Sequence, residues 1–269
     1  MTSSSTTRTR RDRCPGVLRP WPAADGNLVR LRLPGGRLPA AGLRALGEVA
    51  TTYGDGHVRL THRANLQVRG LPPVTDGIVA AFEATGLLPS RTHELARNVM
   101  ASPQTGLAGG RADLRPVVAE LDRLLCATPA LAALPGRFLF VLDDGRGDLL
   151  DRTADLGLVA LDSSAAQLRV ADAWSEVVDL TDAPTRLVEL ATAFLAARTS
   201  EWHAAELPAQ LAPTAPADPR VPAPSPPLPY GAVPGGEHVP AVDGVIAPDL
   251  AARGGDLVVT PWRGVLVPA

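Results

Sequence analysis

The chain has 269 residues, 45% of them hydrophobic and 20% charged, with a formal net charge of −2. That length and apolar content suffice for one large or two modest globular units, and the near-neutral balance excludes the strongly basic footprint of a nucleic-acid binder. No run approaches the roughly 20 apolar residues of a membrane span, and the opening MTSSSTTRTRRDR lacks a signal-type apolar stretch, so a cytoplasmic protein touching neither membrane nor nucleic acid is expected.

Residues 1–13, rich in Ser, Thr and Arg, read as a solvated, disordered basic tail. LVRLRLPGG at 28–36 then predicts a strand with Arg30 and Arg32 on one side and Val29, Leu31 and Leu33 on the other, stopped by Pro34-Gly35-Gly36. Leu43, Leu46, Val49 and Ala50 recur at helical spacing up to Gly54. From Val58 to Gly70 polar residues occupy every odd position, Arg59, Thr61, Arg63, Asn65, Gln67 and Arg69, against mostly apolar even ones. Such alternation puts a rack of guanidiniums and amides on one side of a strand or bent hairpin. Arg binds carboxylates bidentately and stays charged at any working pH, so the rack suits a ligand with several carboxylates. All basic residues of this chain are Arg, however, so Arg identity alone carries little weight against a solvated strand face. A second helix, capped by Asp76 with Ile78, Val79 and Phe82 on its apolar side, ends at Gly86 and completes an α+β unit over 14–88.

The next unit, 89–206, opens with a helix capped by Asp113 that carries Leu114, Val117, Val118, Leu121 and Leu125. FLFVLDD at 138–144, LGLVALD at 156–162 and LRVADAW at 168–174 predict a β-meander, covered by a helix running from Asp182 through Leu195. Ten prolines between Pro208 and Pro234 predict an extended linker, 207–229. Beyond it GDLVVTPWRGVLVP echoes GHVRLTHRANLQVRGLP, Thr260 aligning with Thr61 and Trp262 with Arg63, so 230–269 reads as a partial second copy of the first unit. Cys14 and Cys126 are the two cysteines, and the five His residues show no ligand spacing, so no metal site follows from the residues themselves.

CPG at 14–16, DGNLVRLRLPGG at 25–36, LTHRANLQVRG at 60–70, LARNVMASPQTG at 95–106, LPGRFLF at 134–140 and TPWR at 260–263 together resemble the nitrite/sulfite reductase superfamily, and within it the precorrin-3B synthase branch. The resemblance implies a ferredoxin-like half-domain, an α/β sirohaem-reductase-like domain and a second, partial half-domain. It also implies a tetrapyrrole ligand, a precorrin or sirohaem-like molecule, whose carboxylates would be bound by Arg30, Arg32, Arg63, Asn65, Gln67, Arg69, Arg97 and Asn98. Arg97 and Arg137 would act in catalysis. Arg137 stands where reductases carry a catalytic Lys and Leu139 where they carry another, which favours the synthase reaction, oxygen-dependent hydroxylation and lactone formation on precorrin-3A in aerobic cobalamin synthesis. Family members continue past TPWR into cysteines that hold a [4Fe-4S] cluster, which Cys14 and Cys126 alone cannot support. The resemblance therefore implies a truncated or split oxidoreductase complemented by a Cys-bearing polypeptide and an electron donor. A non-catalytic tetrapyrrole binder is the alternative, and a sulfite or nitrite reductase the next.

Overall fold

The computed structural model describes residues 12–269, so the expected tail lies mostly outside the described residues. A hairpin of β1 (Trp21–Ala23) and β2 (Gly26–Leu31) comes first. It turns at Gly26, whose φ of 114° and contact with the Gly70 backbone leave no room for a side chain. A 3₁₀ turn at Pro34–Gly36 leads to β3 (Arg37–Pro39), α1 (Ala40–Tyr53), β4 (Val58–Leu60), β5 (Leu66–Leu71) and α2 (Asp76–Ala84). The cap of α2 is Thr75, whose Oγ1 accepts the Ile78 N–H at 3.4 Å, one residue before the expected Asp76. Both types cap well, and the apolar spacing of Ile78, Val79 and Phe82 does not fix which one ends the extended chain.

The middle unit comprises β6 (Val99–Ala101), α3 (Arg115–Ala127), β7 (Phe140–Asp143), β8 (Leu156–Ala160), β9 (Ala165–Val170), β10 (Ala173–Asp179) and α4 (Ala183–Ala197). Its sheet runs β10-β9-β8-β7-β6, parallel from β6 to β8 and antiparallel beyond, which corrects the expected meander. Runs buried on both faces read alike in either direction, so periodicity alone could not set strand direction. LRVADAW is likewise not one strand but a hairpin bend, with Val170 paired to Ala173 and Ala171 at φ 51°. Asp113 sits before α3 and accepts the Arg115 N–H at 3.0 Å, while Leu114 occupies the cap position itself. α3 and α4 cover one face of this sheet over Leu121, Phe138, Phe140 and Phe194. On the other face Met100, Leu139, Val141 and Leu149 form a small apolar cluster that Trp262 closes.

The chain ends in β11 (Gly231–Val233), β12 (Gly236–Pro240), β13 (Asp256–Val259) and β14 (Gly264–Pro268). These strands form a sheet of order β11-β12-β14-β13-β3, beside the first sheet of order β1-β2-β5-β4. Thus β3 leaves its own half and pairs with β13, Leu38 opposite Leu257. The exchange is reciprocal, because Leu60 N donates to Gly244 O at 2.8 Å and Ile246 N to Val58 O at 2.9 Å, laying residues 244–246 along the outer edge of β4. Gly36, at φ 70°, makes the crossing feasible, since a Cβ there would collide with the Val259 carbonyl. Leu31, Leu46, Leu66 and Phe82 of one half and Ile246, Leu250, Leu257 and Val265 of the other share one core.

The Pro-rich segment has neither helix nor strand over 207–229 and is docked along the middle unit. Ala215 N donates to Trp174 O at 2.9 Å, Gln167 Nε2 to Pro216 O at 2.9 Å, and Ser225 N to Gly147 O at 2.9 Å. The loop receiving Ser225 is organised by Asp143, which accepts the N–H groups of Gly145, Gly147 and Leu149 at 2.9 Å. Beside it burial pushes the Asp148 carboxyl up to about 7, although Ser102 Oγ donates to it at 2.7 Å. Among the described residues no helix is long and apolar enough to cross a membrane.

Leu38→Ala removes the fully buried side chain of the crossing strand and is expected to lower the unfolding free energy by about 2–5 kcal/mol in chemical denaturation; a loss under about 1 kcal/mol would show the exchange to be peripheral. Because Asp148 binds its proton more tightly folded than unfolded, its contribution to stability is present at low pH and declines as pH rises from about 4 to about 7. Denaturation across that range is expected to show Asp148→Asn flattening this decline.

Candidate anion-binding site

The register of the first sheet sets Arg30 of β2 and Arg59 of β4 on either side of Gln67 of β5, so the polar rack runs across three strands. Between β4 and β5 the chain makes a tight turn in which Thr61 N donates to Asn65 O at 2.9 Å and Ala64 takes φ 55°. Thr260 to Gly264 repeat that turn, with Thr260 N to Gly264 O at 2.9 Å and Arg263 at φ 59°. His62 and Arg63 on the first turn and Arg263 on the second meet over the rack, where Arg263 Nη2 and His62 Nε2 lie 2.8 Å apart.

Two open cavities flank these residues. One, of about 390 Å³, is lined by Arg30, Arg59, His62, Arg63, Gln67 and Arg263. The other, of about 510 Å³, adds Arg13, Cys14, Trp21, Leu28 and Arg137 to Arg30 and Arg63. Arg30 and Arg63 therefore form the divide between the two compartments.

Charge compensation on this face is uneven. Arg59 pairs with Asp55 at 2.7 Å. Arg137 stacks over Trp202 at 5.1 Å and approaches Asp12 only to 3.9 Å, and Arg13 lies 5.2 Å over Trp21. Arg63 donates from Nη1 to the Arg137 carbonyl at 2.8 Å and has no acid within ion-pair distance among the described residues. Arg30 has none either, and its Nε is buried without a partner. Burial, followed by smaller opposing charge effects among which Arg137 repels both, holds the two guanidiniums below their ordinary proton affinity. Cys14 lines the same cavity, and its thiol is pushed up by burial and by Asp12 against the pull of Arg32 and Arg137.

Of the residues singled out in the sequence, Arg30, Arg63, Gln67 and Arg137 come together here. Arg32 lies just behind, 3% exposed, donating from Nη1 to Pro15 O at 2.6 Å and Arg30 O at 3.1 Å, and burial holds its ionisation down to about 10. Arg69 is elsewhere, spent on a two-pronged pair with Asp25 at 2.9 and 3.1 Å on an exposed edge. Arg97 pairs with Asp122 at 2.6 and 2.7 Å and, with Arg32, lines a separate cleft of about 280 Å³. Asn65 and Asn98 are structural bolts. Asn65 accepts Leu33 N at 2.9 Å and donates to Asn98 Oδ1 at 2.8 Å, and Asn98 donates to Phe138 O at 3.0 Å, pinning the first half to the middle unit. Arg59, His62 and Arg263 join the face without having been assigned to it. Arg59 stood in the alternating run opposite Gln67, whereas Arg263 is legible only when the two turns are overlaid.

Residues 22–84 match the nitrite/sulfite reductase ferredoxin-like half domain. The chain resembles this superfamily over its first α+β unit. It is 32% identical over 159 residues to a precorrin-3B synthase of Sinorhizobium sp, covering 58% of this chain and 34% of that protein. A ferredoxin–nitrite reductase of Leptolyngbya laminosa is 34% identical over 127 residues, 44% of this chain and 25% of the relative. The haemoprotein β-component of an Acidithiobacillus ferrooxidans sulfite reductase is 40% identical over 77 residues, 28% of this chain and 14% of the relative. The chain thus spans about a third or less of these relatives. The fold is shared with the Mycobacterium tuberculosis NirA protein, at a TM-score of 0.63 and 19% identity over 90% of this chain and 54% of that one. A four-thiolate cluster of the kind the superfamily implies does not fit the two cysteines of this sequence, Cys14 at the cavity wall and Cys126 on α3.

Asn98→Ala leaves the amide of Asn65 buried without its partner and is expected to cost about 1–3 kcal/mol of stability. Arg69→Ala, which breaks an exposed pair, is expected to cost at most about 1 kcal/mol. Urea denaturation of both variants checks the contrast, and equal losses would contradict it.

Proposed function

We propose that the chain binds a polycarboxylated tetrapyrrole across the divide formed by Arg30 and Arg63, and that it serves the precorrin-3B synthase reaction, oxygen-dependent hydroxylation and lactone formation on precorrin-3A. The observation that carries the reading is the pair of half-buried guanidiniums with no acid at ion-pair distance among the described residues. Holding such charges away from water costs several kcal/mol, and a bound carboxylate offsets that cost through charge-assisted, bidentate hydrogen bonds. Two cationic compartments on either side of Arg63 suit a ligand whose carboxylates radiate from a broad centre. Trp21 and Leu28 give one compartment an apolar wall against which a flat ring packs.

In this reading Arg30 and Arg63 grip carboxylates, Gln67 and Arg59 orient them from the strand face, and Arg137 and Arg263 close the rim. Leu139, buried in the apolar cluster under Trp262, offers no proton and no charge to a reducible oxyanion, which supports the synthase over a sulfite or nitrite reductase. A tetrapyrrole bound here supplies the carbon framework that is hydroxylated. Activation of dioxygen would need electrons from a redox centre that two cysteines do not make, supplied by a Cys-bearing partner and an electron donor. A second reading, a tetrapyrrole binder without catalysis of its own, rests on the same two arginines.

Uroporphyrin III, which carries eight carboxylates on a tetrapyrrole ring, is the probe. Its absorbance titration is expected to saturate at one equivalent, Arg30→Ala and Arg63→Ala each weakening binding about tenfold or more, while Arg123→Ala on the outer side of α3 has no effect. No saturable binding by the unsubstituted chain, or equal affinity in all three variants, would remove both readings.

A further inference from the structure

The cationic cavity of about 390 Å³ is not lined by cations alone. Asp243 is the one acid among the described residues that line it, and it is exposed. Arg59 is taken by Asp55 at 2.7 Å, and no ion pair joins Asp243 to Arg63 or Arg263 among the described residues. The position of Asp243 is nevertheless fixed. Its neighbour Gly244 accepts Leu60 N at 2.8 Å, which ties the turn to β4, and Val245 lies opposite Arg59.

Backbone geometry does not account for the charge. Val245 N donates to Val242 O at 2.8 Å, with Asp243 at φ 51° and Gly244 at φ 76° between them. This is the mirror-image kind of β-turn, which suits Asp, Asn or Gly at its first central position. The first half builds the same turn from glycine. Thr61 matches Thr260, so Arg59 matches Val258, and their partners across the exchanged edges, Val245 and Arg37, match each other. Counting back two residues sets Asp243 on Gly35, at φ 65°, and Gly244 on Gly36, at φ 70°. Arg37 N donates to Pro34 O there, as Val245 N does to Val242 O. A turn that one copy makes with Gly-Gly does not call for a carboxylate in the other.

We propose that Asp243 is a specificity-determining residue of this face: it opposes a ligand carboxylate at the β4 rim and so discriminates among tetrapyrroles by their carboxylates. The inference rests on the tetrapyrrole-binding reading and adds a repulsive element to it. Two acids, Asp55 and Asp243, offset the cations on the β4 side of the cavity, whereas Arg30 and Arg63 have no acid at ion-pair distance among the described residues. A carboxylate seated at Arg30 or Arg63 gains a charge-assisted bond, while one beside Asp243 meets a like charge that offsets what Arg263 offers. The face gives up affinity for the most highly charged ligand and gains selectivity in return.

Uroporphyrin III and coproporphyrin III, the same ring with half as many carboxylates, are titrated against the unsubstituted chain, Asp243→Asn and Asp243→Gly. Both substitutions keep a residue that the turn accepts, and Gly is the one the first half uses there. Each variant is expected to bind uroporphyrin III about fivefold more tightly, the size of one like-charge contact at water-like screening, and coproporphyrin III within about twofold of the unsubstituted chain. Raised salt is expected to shrink the gain. Glu120→Gln, which removes an acid from the outer side of α3, is expected to change neither affinity. Unchanged or weaker uroporphyrin III binding in the Asp243 variants overturns the assignment while leaving the tetrapyrrole reading intact. So does an equal gain for both porphyrins, a gain confined to one of the two variants, or a matching gain in Glu120→Gln. Absence of binding of either porphyrin by the unsubstituted chain overturns the two together.

Discussion

The rest of the architecture depends on the reciprocal exchange of edge strands between the two halves. Without β3 the second sheet would present β13 as a bare edge, and without residues 244–246 the first would present β4; each half covers a row of backbone groups that the other cannot satisfy. The pairing is distant in sequence, with Arg37 and Asp256 joined across a separation of 219 residues. Closing so long a loop costs chain entropy, and the cost is reduced because most of the loop is folded. The docked Pro-rich strap matters here. Its hydrogen bonds to Trp174, Gln167 and Gly147 remove the freedom of a flexible connector and deliver β11 to the edge where it pairs.

The exchange also explains why the candidate site lies where it does. Residues 244–246 must run along β4, which brings Gly244 and Asp243 to the rim beside Arg59 and Arg263. The two matching turns then land on different parts of the middle unit. The first sets Asn65 on Asn98 and Arg63 on the Arg137 carbonyl, and the second drives Trp262 onto the apolar cluster of Met100, Leu139 and Val141. The backbone that carries Arg30 and Arg63 is thus fixed from both sides, which holds their guanidiniums at the cavity walls.

Much of this was legible in the chain. Alternation from 58 to 70 exposed the rack, the Gly and Pro stops framed β2 and α1, and the echo of Thr61 in Thr260 revealed the duplication with its turn. What escaped was whatever depended on a partner far away in sequence. Nothing near Arg97 announces Asp122, nothing in the rack marks Arg69 for Asp25, and nothing in LTHRANLQ shows that Asn65 turns inward to bridge Leu33 and Asn98. Strand direction in the middle sheet was hidden for a different reason, since runs buried on both faces lack the alternation that separates parallel from antiparallel partners. The contact of Asp155 with His203, 48 residues away, carries no local signature at all.

The duplication supplies an internal control for the reading of the arginines. Across the central strands of the first half the outward row is Arg30, Gln67 and Arg59; the equivalent row of the second, by the same register, is His238, Leu266 and Val258. There the face is sealed. His238 is fully buried, its Nε2 2.9 Å from Thr260 Oγ1 and its Nδ1 3.0 Å from the Pro229 carbonyl, and burial holds it below the usual histidine range. Tyr230, at the end of the strap, stacks on it at 4.7 Å. One backbone is therefore built twice in one molecule, once with a buried row of His238, Leu266 and Val258 and once with an open face on which Arg30 and Arg63 have no acid at ion-pair distance among the described residues. The fold does not require the charge, because its second copy stands without it. A charge that the fold does not impose supports the ligand proposed above, an anion with more than one carboxylate.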